Sequence, residues 1–158
     1  MNGYLLHRDQ GELRASGKTV TWFKATGDTT GGLFALVEED AARGQGAPIH
    51  RHAADVESFY VLDGEMTFFL PDAAPQVGRP GTFVHIPAGA AHGFRVESER
   101  ARYLILTTPH HAEFYRAMTR AVAAPGDSFE PFTRDEMGKA CRDYGVEFIG
   151  PWPDKAKG

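Results

Sequence analysis

Hydrophobic and polar residues alternate with a period of two along most of the chain up to about residue 108, and the period then changes to four. Alternation puts neighbouring side chains on opposite faces and predicts strands. Thr19 to Ala25 is β-branched and aromatic and predicts one. Leu33 to Glu38 predicts a second, with Leu33, Ala35 and Val37 on one face. Further strands are expected at Pro48 to His52, Glu57 to Leu62, Glu65 to Leu70, Gly81 to Ile86, His92 to Val96 and Arg102 to Thr107. Residues 1–18 are polar and Gly-rich and suit an arm or an edge strand. Gly27 to Gly32 and Pro71 to Pro80 read as connections, and Ala41 to Ala47 must turn the chain. Asp63-Gly64 is a two-residue hairpin signal, which pairs Glu65–Leu70 with Glu57–Leu62.

After residue 110, Phe114, Met118 and Val122 recur every four residues and predict a helix from His111 to Ala123. Thr133 and Glu136 form a capping-box pattern ahead of a second helix, with Met137, Cys141 and Tyr144 as its buried stripe and Gly145 as its stop. Val146 to Pro153 is apolar and Pro-rich and is expected to lie across the barrel surface. Eight or nine short strands followed by two helices predict an all-β fold with C-terminal helices, either a sandwich or a jelly-roll barrel. Periodicity does not choose between those two.

Composition narrows the class. A chain of 158 residues with 42% hydrophobic content fits one globular domain. Its 18 glycines and 10 prolines suit many turns. The net charge of −4 comes from interleaved acids and bases, which argues against a nucleic-acid surface. The one cysteine, Cys141, excludes an internal disulfide. Met1 to Gln10 lacks a basic start followed by an apolar run, and no apolar stretch has the length of a membrane span. A cytoplasmic protein without a membrane partner is the expectation. A homodimer is expected because small barrels cover exposed edges by pairing.

The candidate chemistry lies between Pro48 and Gly64. On a strand His50 and His52 share a face, and Glu57 returns to the same point after a bend. Two imidazoles and a carboxylate aimed together suit a divalent transition metal. The full spacing is Gly44-x5-His50-x-His52-x4-Glu57-x6-Gly64, followed by Gly81-x5-Pro87-x-Gly89-x2-His92. These segments resemble the two signature motifs of the cupin superfamily, whose fold is a double-stranded β-helix (jelly-roll) barrel. Nine positions agree in residue and spacing; Val96 stands where the second motif usually ends in Asn. The resemblance implies a single cupin domain over 1–158, with a barrel core at about 19–108 and a helical segment at about 110–158. It also implies a metal site of His50, His52, Glu57 and His92. Three His and one Glu leave open positions for a substrate, and Pro87 and Gly89 allow the turn that returns His92. The ion could be Fe, Mn, Co, Ni, Cu or Zn.

Phe59, Met66, Phe68 and Phe94 are candidate substrate-binding residues if their face points inward, with core packing as the plain alternative. The neighbours of His85 do not fix its face. His7 belongs to the polar arm, His110 and His111 are expected at the exposed start of the first helix, and Cys141 is expected to pack. Ser58 to Glu65, Leu106 to Pro109 and Tyr144 to Pro151 are similar to small quercetin 2,3-dioxygenase-like cupins. That resemblance implies a metal-dependent dioxygenase acting on an enol or flavonol with O2, with Glu57 as ligand and general base. A metal-dependent cyclase or isomerase acting without O2, or a non-catalytic small-molecule-binding cupin, would keep the same four residues.

Overall fold

The computed structural model describes residues 2–153, and the segment from 154 to 158 lies outside the described residues. In chain order the elements are β1 (Glu12–Ser16), β2 (Thr19–Ala25), α1 (Gly27–Thr30), β3 (Ala35–Ala42), β4 (Gly46–His52), β5 (Glu57–Asp63), β6 (Met66–Phe69) and β7 (Gln76–Gly78). There follow β8 (Phe83–Ile86), β9 (His92–Val96), β10 (Arg100–Thr107), α2 (Pro109–Ala117), β11 (Arg120–Ala121), α3 (Arg134–Asp143) and β12 (Val146–Gly150). Seven strands form one antiparallel sheet in the order β11-β1-β2-β3-β10-β5-β8, and five form a second in the order β12-β4-β9-β6-β7. Their inner faces meet as a jelly roll. Phe59 from the first sheet touches Phe68 and Phe94 of the second, at ring-centroid distances of 5.4 and 4.9 Å. Val37, Val61, Val96 and Ile105 complete that core.

Several connections differ from the sequence reading. Asp63-Gly64 does not close a hairpin, because β5 pairs with β10 and β8 while β6 pairs with β9 and β7. The dipeptide is a corner that carries the chain from one sheet to the other. Gly64 has φ 80°, and a Cβ there would lie 2.3 Å from the Arg100 carbonyl oxygen. Turn chemistry thus marks the reversal correctly but does not say which strand lies beside which. Gly27 to Thr30 is a short helix, with the Thr29 hydroxyl accepting the Thr26 N–H at 2.9 Å. β3 starts at Ala35 and leaves Leu33 exposed. The Pro-rich connection contains β7, which pairs with β6.

The first helix stops at Ala117 rather than Ala123. Arg14 donates to the carbonyls of Arg116 and Thr119 and satisfies the helix end, and Arg120–Ala121 then pairs with β1. The capping box at Thr133 and Glu136 is present, and Gly145 follows α3. Ala140 is the buried residue of α3, while Met137, Cys141 and Tyr144 are half-buried. Val146 to Gly150 does not lie across the barrel but adds β12 beside β4, with Phe148 opposite His50. Trp152 then donates to the carbonyls of Ala47 and Phe94.

Gly64→Ala is expected to destabilise the protein by more than Gly31→Ala. Both positions have positive φ, which costs alanine on the order of 1 kcal/mol. A Cβ added at Gly31 would meet nothing within 4 Å, whereas at Gly64 the methyl also meets backbone. Urea denaturation of the two variants checks this, and equal losses would contradict the corner role.

Candidate metal centre

Four side chains from three strands converge inside the barrel. His50 and His52 occupy alternate positions on the inner face of β4, with exposed Arg51 between them. β9 runs beside β4 and sets His92 directly opposite His50. Glu57 is the first residue of β5, on the facing sheet. Each offers a ligand atom, and these atoms all lie within 4.8 Å of one another. All four residues are buried. The Pro87–Ala91 loop supports the convergence: Gly89, at φ 80°, donates its N–H to the His52 carbonyl at 2.7 Å.

The hydrogen bonds orient the imidazoles. His50 Nδ1 is 2.7 Å from the Pro48 carbonyl, and His92 Nδ1 is 3.0 Å from the Ala90 carbonyl. A carbonyl only accepts, so each Nδ1 carries a proton and Nε2 is left to face the cluster; that of His92 meets Glu57 Oε2 at 3.1 Å. Burial, with His92 nearby, pushes His50 down to about 4, and burial pushes His52 down to about 3. Both rings are therefore neutral, which is the ligating form. Neither nitrogen of His52 has a hydrogen-bond partner among the described residues. A buried unpaired polar atom costs about 1–3 kcal/mol, and an ion would relieve it. Burial pushes Glu57 up, but the His111 and His92 imidazoles outweigh it and hold the carboxyl well below the usual range. Neutral nitrogens with one carboxylate make a donor set that fits a divalent transition metal.

Two residues of α2 also reach the cluster. The Tyr115 hydroxyl donates to Glu57 Oε1, and His111 Nε2 is 3.6 Å from the same oxygen. The His111 ring lies on His52, with centroids 3.9 Å apart. His111 is thus buried in the site and not at an exposed helix end; His110 alone is exposed. The signal was present in the sequence. His111, Phe114, Tyr115 and Met118 follow the i, i+3, i+4, i+7 stripe of one helix face. Asp55 anchors this helix, since its carboxylate accepts from the Thr108 hydroxyl and lies 2.9 Å from His110 Nδ1. Thr108 in turn caps α2 by accepting the His111 N–H.

A cavity of about 220 Å³ reaches the cluster at His50 and His111. Exposed Gly17 and Gly46 rim it, and Phe94, Phe114 and Phe148 supply apolar walls. Of the four apolar residues expected around a substrate, Phe94 lines this cavity. Phe59, Met66 and Phe68 instead pack in the core between the sheets, because strand alternation puts them inward at levels the aromatic cluster already fills. His85 is exposed on the outer face of β8, where Nδ1 meets the Ser58 hydroxyl at 2.8 Å. Cys141 is half-buried, with its thiol pushed up by burial.

The cavity also contains Glu39, which carried no sequence signal beyond alternation along β3. Glu39 accepts hydrogen bonds from Thr21 at 2.9 Å and Tyr103 at 2.8 Å. Burial raises its carboxyl to about 7; the two hydroxyls oppose that shift and the Glu57 charge adds to it.

Comparison with known proteins agrees with the barrel and its motifs. The Cupin domain family matches residues 37–107. Over 104 residues, 66% of the chain, the sequence is 35% identical to quercetin 2,3-dioxygenase of Bacillus subtilis (strain 168), and the match spans 31% of that enzyme. The polyketide cyclase RemF from Streptomyces resistomycificus superposes with a TM-score of 0.60 at 20% identity, covering 91% of this chain and 97% of RemF. KdgF from Halomonas sp. gives a TM-score of 0.60 at 16% identity, covering 68% of this chain and 94% of KdgF. At these identities the two structures show a shared fold.

Two expectations follow from the site. A divalent metal at 100 times its Kd should stabilise the protein by about 2.7 kcal/mol, and His52→Ala should abolish that response in thermal melts with and without metal. Glu39 has a different pH signature. Its folded value of about 7 lies above the ordinary 4.5, so the unfolded chain releases this proton first as pH rises. Its contribution to stability therefore falls between about pH 4.5 and pH 7 and stays low above that. Glu39→Gln should gain melting temperature relative to wild type from pH 5 to pH 8. A difference constant with pH would contradict the assignment. His50, His111, Tyr103 and Tyr115 share the cavity in both proteins, so the comparison isolates Glu39.

Proposed function

Because the chain belongs to the cupin superfamily, we propose that it is a metal-dependent, quercetinase-like dioxygenase that opens an enol- or flavonol-type substrate with O2. The carrying observation is the buried cluster of His50, His52, Glu57 and His92 beside an apolar cavity. The identity with the Bacillus subtilis quercetin 2,3-dioxygenase supports the reaction class. His50, His52, Glu57 and His92 would hold the ion, and when bound it supplies Lewis acidity and redox capacity.

The chain's own groups divide the remaining work. Glu57 is ionised at neutral pH and would be the base that takes the hydroxyl proton of a substrate reaching the metal centre past His50 and Tyr115, which line the cavity. Burial and the Glu57 charge hold the Tyr115 phenol well above its usual value, so it stays a donor. Its hydroxyl bonds Oε1 of Glu57, while Oε2 lies 3.1 Å from His92 Nε2. Phe94, Phe114 and Phe148 offer flat apolar surface for a ring system and exclude water from it.

The proposed partner is a second copy of the chain. Tyr60, Leu62, Phe83 and Leu106 are exposed on the outer face of the seven-stranded sheet, next to its β8 edge. Contiguous apolar surface of this kind marks interaction sites. Phe83→Lys combined with Leu106→Lys should convert a dimer to a monomer in light scattering. A wild-type monomer would remove this part of the proposal.

The reaction is tested with the metal-loaded protein, a flavonol and an oxygen electrode, with carbon monoxide measured in parallel. Equal O2 uptake and CO release are expected. Product formation without O2 would assign a cyclase or isomerase, and binding without turnover a binding protein. Glu57→Gln should retain part of the metal and lose turnover by about 100-fold or more. His50→Ala should lose both metal and turnover. Full activity in Glu57→Gln removes Glu57 as the base.

A further inference from the structure

Along the inner face of β3 the residues are Ala35, Val37, Glu39 and Ala41, all buried. One carboxyl thus interrupts an apolar row. Its neighbours across the sheet are matched to it: Thr21 on β2 and Tyr103 on β10 are the direct register partners of Glu39. Each gives it a hydroxyl hydrogen bond, one to each carboxyl oxygen. The three side chains form a polar row across three adjacent strands, and all three line the cavity that reaches His50.

A packing role accounts poorly for this row. Burying a carboxyl costs several kcal/mol when no cation compensates, and none of the ion pairs among the described residues involves Glu39. An aliphatic residue like those beside it would fill the position at lower cost. The two hydroxyls use one acceptor site on each oxygen and leave the others free. They also hold the carboxyl in one orientation, as a recognition group requires.

We infer that Glu39 is a specificity-determining residue that binds a hydroxyl group of the substrate remote from the oxygens held at the metal centre. The ligand class is therefore a flat, polyhydroxylated ring compound, with one oxygen pair at the His50 end and a further hydroxyl on Glu39. Thr21 and Tyr103 are positioning residues for the carboxyl. A cavity of about 220 Å³ is smaller than the roughly 300–1,000 Å³ usual for drug-sized ligands. One or two fused rings fit inside it, and any larger part extends past Gly17 and Gly46. The inference rests on the proposed metal site for the placement of the first oxygen pair.

The test measures affinity, without turnover, on the metal-loaded protein. Catechol is paired with pyrogallol, and 3-hydroxyflavone with quercetin; the second member of each pair keeps the first member's chelating oxygens and adds hydroxyls elsewhere on the rings. Absorbance titrations give Kd for wild type, Glu39→Gln and Glu39→Ala, with metal content measured alongside. Wild type should prefer the more hydroxylated member of at least one pair by roughly 10–100-fold. The preference should fall to near one in Glu39→Ala, with affinity for catechol and 3-hydroxyflavone and metal content unchanged. Glu39→Gln, which keeps a carbonyl acceptor and nearly the same shape, should retain part of it and carries the test if the alanine variant fails to fold. A preference that is absent in wild type, or undiminished in both variants, overturns the assignment. Preference lost in the variants while wild type takes up no O2 supports Glu39 and overturns the dioxygenase reading alone. Failure of wild type to bind any of the four overturns both.

Discussion

Glu57 and His92 meet across the barrel at 3.1 Å, each almost fully enclosed, and the rest of the centre depends on how that contact is supported. A carboxylate taken out of water loses several kcal/mol of hydration. Here the compensation comes from separate parts of the chain: His92 from β9 on the facing sheet, and Tyr115 and His111 from α2. Satisfying one charge therefore requires both sheets and the helix to be in place. The same requirement draws the ligand atoms together, because His50 is fixed to His92 by register and His52 to His50 by the alternation of β4.

The helix is as much a part of the centre as the strands are. Buried Asp55 lies in the bend that brings Glu57 round, and it also holds Thr108 and His110 at the start of α2. One residue thus sets the approach of the carboxylate and the seat of the helix that hydrogen-bonds it. Arg14, by taking the carbonyls at the other end, ends α2 where the chain can turn back and pair with β1. The helix is therefore fixed at both ends, and His111 and Tyr115 point from it into the barrel.

Local pattern made most of the strands legible, and β2 and β9 match their expected bounds residue for residue. Of the four candidate ligands, His50, His52 and Glu57 were legible from strand alternation and one bend, whereas His92, 35 residues past Glu57, came from the motif resemblance. Pairing was not. Asp63-Gly64 announces a reversal, but the choice between a hairpin and a corner depends on which strands lie beside β5, and β10 comes from nearly forty residues further on. Val146 to Gly150 likewise joins a sheet only because β4 has a free edge. His111 was misplaced for a different reason: polarity suggests exposure, and the helical stripe it shares with Phe114 and Met118 carried the opposite message. Glu39 shows the limit of alternation, which gives a residue's face but not what that face borders.

The two carboxyls of this interior are driven apart by their surroundings, and that separation gives them different roles. Glu57 is surrounded by imidazoles and a phenol, and stays ionised despite its burial. Glu39 has two neutral hydroxyls and the charge of Glu57 nearby, and its carboxyl rises to about 7. Two like charges in a space this enclosed disfavour each other, so ionising one makes the other more readily neutral. The ionised one, Glu57, is itself one of the four candidate ligands. The other can remain protonated near neutral pH and then both gives and accepts hydrogen bonds. A hydroxylated ring satisfies both capacities at once, whereas an anionic group would face two carboxyls and be disfavoured. On the proposed function, the polarity of the cavity would select against substrates that carry their charge away from the candidate metal centre, through the row Thr21, Glu39 and Tyr103.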